Sequence, residues 1–213
     1  VTDEAISLMQ ALADEDELVE KYKAILSGQV MNPGEKRLVL HQLTRGNCLG
    51  TPVLADGEDK GEFYSSQLAR IKDFSEKVRN GVIKGSTGKP FDTVCQIGIG
   101  GSDLGPRALY LALAEYINNS PVKHLNAKFI SNVDPDDAAS VIRTINPETT
   151  LFVLVSKSGT TLETLTNQLL VTSSLKGVDP AKHLVAVTSK TSPLASSKDV
   201  LDAFFIDDYI GGR

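Results

Sequence analysis

Apolar and polar residues recur with two different periods along this chain, and the change falls near residue 90. Up to about residue 80 the apolar positions repeat at helical spacing. Ile6, Leu8, Met9 and Leu12 form one group, and Leu18, Val19, Tyr22, Ile25 and Leu26 form another. Gly28 fits the stop after the second. Pro33-Gly34 reads as a turn, with a helix predicted through Leu38 to Leu43. The stretch from Asp56-Gly57 to Gly61 is polar and loop-like. Phe63 to Val78 returns to a helical pattern with Leu68, Ile71, Phe74 and Val78 on one face, and Asn80-Gly81 ends it. Gly85 to Pro90 is a loop.

Beyond that loop, short apolar runs alternate with helical patterns. Strands are predicted at Thr93–Ile99, Lys128–Ser131, Thr150–Val155, His183–Thr188 and Phe204–Ile206. Helices are predicted around Gly105–Tyr116, Pro135–Ile145, Leu162–Leu175 and Ser192–Leu201. Five apolar strands separated by helices predict an α/β fold: a five-stranded parallel sheet with helices on both faces, in three α-β-α layers. The organisation expected is a helical N-terminal region over residues 1–90 followed by the sheet domain over 91–213. Ligands of such sheets bind outside the carboxyl ends of the strands.

Composition narrows the classes of partner. The 213 residues are 41% hydrophobic, which suits a packed α/β core, and the net charge of −5 argues against a general nucleic-acid or anionic-membrane binder. No run approaches the ~18 apolar residues of a membrane span, and no signal peptide is visible, so a soluble cytoplasmic protein is expected. Cys48 and Cys95 match neither a disulfide framework nor a metal site; Cys95 lies in an apolar run and is expected to be a buried thiol. The chain starts at Val1 and stops at Ile210-Gly211-Gly212-Arg213, an ending that reads as the middle of a loop, so a fragment of a longer protein is expected.

Two of the predicted strands end in loops suited to an anion. The first is Ile97-Gly98-Ile99-Gly100-Gly101-Ser102-Asp103-Leu104-Gly105-Pro106. It lacks the third glycine of a dinucleotide-binding fingerprint, and the next strand ends in Ser131-Asn132 rather than an acid. Gly88-Lys89 is not a nucleoside-triphosphate loop either, because Pro90 and Ile83 stand where a hydroxyl residue and a glycine are needed. What remains is a tight turn that brings Ser102 and backbone amides close to an anion, or a strand-to-helix turn with no ligand. The second loop, Ser156-Lys157-Ser158-Gly159-Thr160-Thr161-Leu162-Glu163-Thr164, places five hydroxyls within nine residues at a helix start. The helix dipole favours an anion there, and glycine permits close backbone approach. The competing explanation is capping, since Thr160-x-x-Glu163 is a capping box. Capping leaves Ser156, Lys157, Ser158 and Thr161 unexplained, so phosphate binding is favoured.

Other polar residues are less telling. Lys157 supplies either its charge or only its amide. Glu163 in a first helical turn is more often a cap than a base, and Asp103 more often organises a loop. His41, His124 and His183 sit in a helix pattern, a loop and a strand start, and none is a strong catalytic candidate. Arg213, after two glycines beyond the fifth strand, is placed near the carboxyl edge, where it would stabilise an oxyanion or simply be solvated.

At these residues the chain resembles the phosphoglucose isomerase family. The resemblance takes in Ile97–Pro106, Ser156–Thr164 and Gly211-Gly212-Arg213. It extends to Glu35-Lys36-Arg37-Leu38-Val39-Leu40-His41, Val78-Arg79-Asn80-Gly81, Lys84-Gly85-Ser86-Thr87-Gly88-Lys89 and Ser131-Asn132-Val133-Asp134. It runs in the family's order from about residue 30 to the end. The resemblance implies a sugar-isomerase (SIS) domain behind a helical N-terminal region, with a second SIS domain and C-terminal helices outside this chain. It implies that Gly101 and Ser102 line a sugar-phosphate site, that Ser156, Lys157, Ser158, Gly159, Thr160 and Thr161 form the phosphate loop with help from Thr164, and that Arg213 stabilises an enediolate. Ser158-Gly159 departs from the Thr-Phe pair of some branches but keeps the hydroxyl.

The reaction so implied interconverts glucose 6-phosphate and fructose 6-phosphate through a cis-enediol in glycolysis and gluconeogenesis, in a homodimer, with no metal or cofactor. The base glutamate, the ring-opening histidine and a lysine are expected downstream of these residues. The 213 residues alone are therefore expected to bind sugar phosphate weakly and not to isomerise it. Two other readings use similar loops: a non-catalytic SIS module that senses sugar phosphates, and the isomerase part of a glucosamine-6-phosphate synthase. The helical N-terminal region and the Gly-Gly-Arg ending speak against the first, and the Gly-Ile-Gly-Gly-Ser-Asp-Leu-Gly-Pro loop against the second.

Overall fold

The computed structural model describes residues 1–46 and 50–211. The chain divides into two compact units, one of residues 1–68 with 209–211 and one of residues 69–208. The division falls within a continuous helix, α3 (Lys60–Arg79).

The first unit opens with α1 (Asp3–Glu15), whose Thr2 side chain accepts the Ala5 N–H, and α2 (Leu18–Leu26). The helix predicted through Leu38 to Leu43 is instead a short 3-10 turn at His41–Arg45. Leu40, fully buried, gives its N–H to Tyr209 O, so residues before the turn serve a distant chain segment rather than a local helix. The stretch read as a loop at 56–61 is a small hairpin of β1 (Leu54–Ala55) and β2 (Glu58–Asp59). It seats the buried Lys60, whose ammonium pairs with Asp56 at 3.1 Å and Glu58 at 3.0 Å. That pairing offsets the cost of removing the charge from water.

The second unit holds the five-stranded sheet, in the order β4-β3-β5-β6-β7 and parallel throughout. Its strands are β3 (Thr93–Ile97), β4 (Asn126–Ile130), β5 (Thr150–Val155), β6 (Leu184–Thr188) and β7 (Asp202–Phe205). Between them lie α4 (Gly101–Ala112), α5 (Ala114–Asn118), α6 (Pro135–Ile142) and α7 (Leu162–Ser174). The α/β class and the parallel sheet agree with the pattern of the sequence. No α-helix follows β6: the segment predicted as helical from Ser192 to Leu201 holds only a 3-10 turn at Pro193–Ser196, started by Ser192 Oγ accepting the Leu194 N–H.

Alternation along the strands sorts the two faces. Cys95, Ile97, Ile130, Phe152, Leu154, Leu184 and Ala186 pack with Ala138 of α6 and Val171 of α7. On the other face Leu151, Val185 and Phe204 meet Phe74 and Val78 of α3. Phe129, next to Ile130, points to that second side, where Tyr110 and Arg107 of α4 cover it. The sheet ends at β7, where Arg70 of α3 donates to Ala203 O at 3.1 Å and pairs with Asp202 at 3.0 Å. Asp202 Oδ1 in turn accepts the Ala203 N–H.

The amino ends of β5 and β6 are joined through His183, which is fully buried. Its Nδ1 lies 2.9 Å from Thr150 O, an acceptor, so Nδ1 carries the proton. Nε2 then accepts the Ser86 N–H at 2.9 Å, which ties in the Lys84–Lys89 loop.

Cys95 is fully buried, and desolvation of the thiolate pushes its thiol up to about 12 from an ordinary value near 9, only partly opposed by Lys128. The folded chain therefore keeps this proton between about 9 and 12 while the unfolded chain releases it. This group's stability contribution is complete below 9 and declines as pH rises above it. In a Cys48→Ser background, a thiol reagent at pH 8 is expected to leave the native chain unmodified and to count one thiol after denaturation. Native labelling at the rate of a free thiol would contradict this burial.

Candidate functional site

The sheet topology decides where a site forms. Strand β3 is followed by α4 on one face, and its neighbour β5 is followed by α7 on the other. Ile97 pairs in register with Leu154, so the two loops leave the sheet side by side. Helices diverging from adjacent parallel strands leave a crevice between them, the switch point at which such sheets bind ligands. Both loops singled out in the sequence flank it.

The first loop enters its helix sooner than the sequence suggests. α4 begins at Gly101, so Gly101 and Ser102 form its first turn and Gly100 is the residue before it. Pro106 then lies inside the helix, and its missing N–H leaves Ser102 O without the usual partner four residues on. Gln96 supplies one: this buried strand residue donates Nε2–H to Ser102 O at 3.0 Å. Gly98 lies directly beneath, where a Cβ would come within 2.6 Å of the same oxygen. Asp103 is 2% exposed and is held by Arg107 through Nε at 3.2 Å and a terminal nitrogen at 3.1 Å. It organises the turn, as its position in the sequence suggested.

In the second loop the capping reading does not hold. The residue before α7 is Thr161, not Thr160, and no side chain caps the helix. Thr161 Oγ1 instead lies 2.9 Å from Ser156 Oγ, which also accepts the Gly159 N–H at 3.2 Å. The first intrahelical bond runs from Leu165 N to Thr161 O, so the opening N–H groups of α7 remain as donors at the positive end of its dipole. Ser158 Oγ is linked to Thr160 through its N–H at 3.2 Å and its hydroxyl at 3.0 Å. Ser158 and Thr160 are exposed, whereas Ser156 is 2% exposed. Gly159 has a φ of 67°, and a Cβ there would fall 2.0 Å from Ser192 Oγ. The group that approaches this glycine closely is thus a neighbouring loop.

Lys157 sends its ammonium to Asp208 O at 3.4 Å. Thr164 is buried in the first turn of α7, with its hydroxyl unpartnered. Arg213 lies outside the described residues. None of the three histidines joins the crevice loops: His183 and His124 precede β6 and β4 at the amino edge, and His41 belongs to the first unit. Among the described residues no group of three His, Cys, Asp or Glu is arranged to hold a metal ion, and no helix is long and apolar enough to cross a membrane.

Sequence reasoning missed Gln96, Arg107 and Thr188, the last of which donates its hydroxyl to Ser156 O. The first has a legible signal in retrospect, a proline four residues after Ser102 that demands a substitute donor. Replacing Gln96 by leucine is expected to leave Ser102 O buried and unsatisfied, at a cost of about 1–3 kcal/mol. Urea denaturation measures this directly, and an unchanged midpoint would contradict the role given to Gln96.

A family model described as phosphoglucose isomerase matches residues 1–213. A glucose-6-phosphate isomerase of Treponema denticola is 55% identical over the whole chain, and that of Borreliella burgdorferi is 45% identical over 98% of it; each match takes in 40% of the relative. The chain thus spans about 40% of the length of the curated relatives it matches. A crystal structure of a glucose-6-phosphate isomerase from Chlamydia trachomatis superposes over the full chain with a TM-score of 0.85 at 36% identity, again over 40% of its own length. A hypothetical protein of Thermus thermophilus follows over 95% of this chain and 42% of its own, with a TM-score of 0.58 and 27% identity. The chain belongs to the phosphoglucose isomerase family.

Proposed function

We propose that this chain carries the sugar-phosphate grip of a glucose-6-phosphate isomerase, which interconverts glucose 6-phosphate and fructose 6-phosphate through a cis-enediol. The observation that carries the reading is the start of α7: an uncapped helix end beside the paired Ser156 and Thr161 hydroxyls, across the switch point from the first turn of α4. A phosphate accepts several short hydrogen bonds at once, and hydroxyls with helix-end amides offer them without rearrangement. Ser156, Ser158, Thr160 and Thr161 supply hydroxyls, Lys157 and Gly159 backbone, and Thr164 a buried hydroxyl behind them. Gly101 and Ser102 line the sugar side.

The chemistry moves a proton between two adjacent carbons beside a carbonyl. It needs a carboxylate to carry the proton and a cation to stabilise the enediolate. Arg213 is assigned to the cation by the family resemblance, and the resemblance puts the base, a ring-opening histidine and a lysine beyond these residues. It also supports a cytoplasmic homodimer as the working form, acting on sugar phosphates without metal or cofactor.

The full-length protein, assayed by coupling conversion of fructose 6-phosphate to a glucose-6-phosphate dehydrogenase, is expected to turn over. A folded protein with no turnover would overturn the assignment. Removing both hydroxyls in Ser156→Ala with Thr161→Ala is expected to raise KM roughly 10- to 100-fold, with a smaller effect on kcat. An unchanged KM would remove the phosphate from this loop.

A further inference from the structure

The end of β6 and the residues just after it meet the backbone of the phosphate loop at Ser156, Lys157 and Gly159. Thr188, fully buried as the last residue of the strand, donates Oγ1–H to Ser156 O at 2.7 Å and lies 3.3 Å from Lys157 O. The next residue gives its backbone N–H to the same Lys157 O at 2.9 Å. Ser192 and Pro193 then close under Gly159, with Ser192 Oγ fixed by the Leu194 N–H at 3.1 Å. One neighbouring strand end therefore holds a loop whose last ladder bond is that of the Ser156 N–H to Val187 O, at 3.0 Å.

Peptide planarity gives these contacts a direction. Across a trans peptide the C=O of one residue and the N–H of the next point opposite ways. Fastening Ser156 C=O and Lys157 C=O to β6 turns the N–H groups of Lys157 and Ser158 away from β6. We propose that Thr188 is a positioning residue for substrate binding: its hydroxyl sets the orientation of the Ser156–Lys157 peptide, and the Ser189 N–H that of the next, so that the amides of both face the phosphate. This rests on the sugar-phosphate reading of the site. Thr188 itself is shut off from any ligand by its burial and acts only through the loop. Holding donors in place before the ligand arrives lowers the ordering cost of binding, so the loss should fall on affinity.

The test uses the full-length protein. Thr188→Val keeps the shape and β-branch but removes the donor, and is expected to raise KM for fructose 6-phosphate about three- to tenfold with kcat within about twofold. The inhibition constant of inorganic phosphate should rise by the same factor, because the loop amides are lost to any phosphate. Thr188→Ser, which keeps the hydroxyl, should restore both values. Should the valine variant fail to fold, Thr188→Ala provides the same two readings without added bulk at the β-carbon. A variant that melts earlier yet keeps the wild-type KM and phosphate inhibition would overturn the proposal, as would a serine variant as impaired as valine. Absence of turnover in the folded wild-type protein would instead defeat the functional reading itself.

Discussion

Two adjacent parallel strands send their following helices to opposite faces of one sheet, and the crevice between those helices is the constraint on which the rest of the site depends. β3 and β5 are paired residue for residue, with Thr93 opposite Thr150 and Ile97 opposite Leu154. That register fixes the two loops at the same height. Glycines and hydroxyls in either loop alone would be ordinary strand-to-helix turns. The register sets them beside each other at one carboxyl edge of the sheet, at its switch point.

Accounting for backbone polar groups explains many of the side chains around this crevice. A loop that must offer its N–H groups to a ligand has carbonyls left to satisfy, and buried carbonyls need donors. Gln96 serves Ser102 O, and Thr188 serves Ser156 O. Neither touches the crevice itself. Both are polar residues in strands that otherwise read as apolar, and both stand next to a loop whose own ladder is broken, by Pro106 in one case and by the glycine turn in the other. Polar residues in buried strands here thus mark where a loop carbonyl lacks a donor of its own.

The legible part of the molecule was the part governed by local pattern. Apolar runs separated by helical periods gave the five strands, and Thr150–Val155 lies where it was expected, because a central strand covered on both faces reads as a near-continuous apolar run, here Leu151 to Val155. Loop composition located the two glycine- and hydroxyl-rich turns that follow β3 and β5. What escaped was set by tertiary contact. Residues 192–201 carry apolar positions at near-helical spacing, yet Leu194 and Val200 pack separately against the sheet and the backbone makes one 3-10 turn. The helix predicted at 38–43 gave way because Leu40 is held by Tyr209, far along the chain. α4 starts before Gly105 because Gln96 replaces the donor that Pro106 lacks. His183 looked like a strand-start residue with no assigned role; its two ring nitrogens bond Thr150 and Ser86, 33 and 97 residues away, a pairing that no window of local sequence displays.

The ion pair at the far end of the sheet has a consequence of its own. β7 is an edge, and an edge strand normally offers unpaired amides and carbonyls to any extended chain that drifts alongside. At Ala203 both groups are already engaged, the carbonyl by Arg70 and the amide by Asp202, and the two side chains are bound to each other. Arg70 also lies over the rings of Phe204 and Phe205, which anchors its guanidinium in place. The pair imitates the hydrogen bonds of a sixth strand without adding one. It terminates the sheet chemically rather than by shape, and so withholds the Ala203 backbone from any extended chain that would pair there.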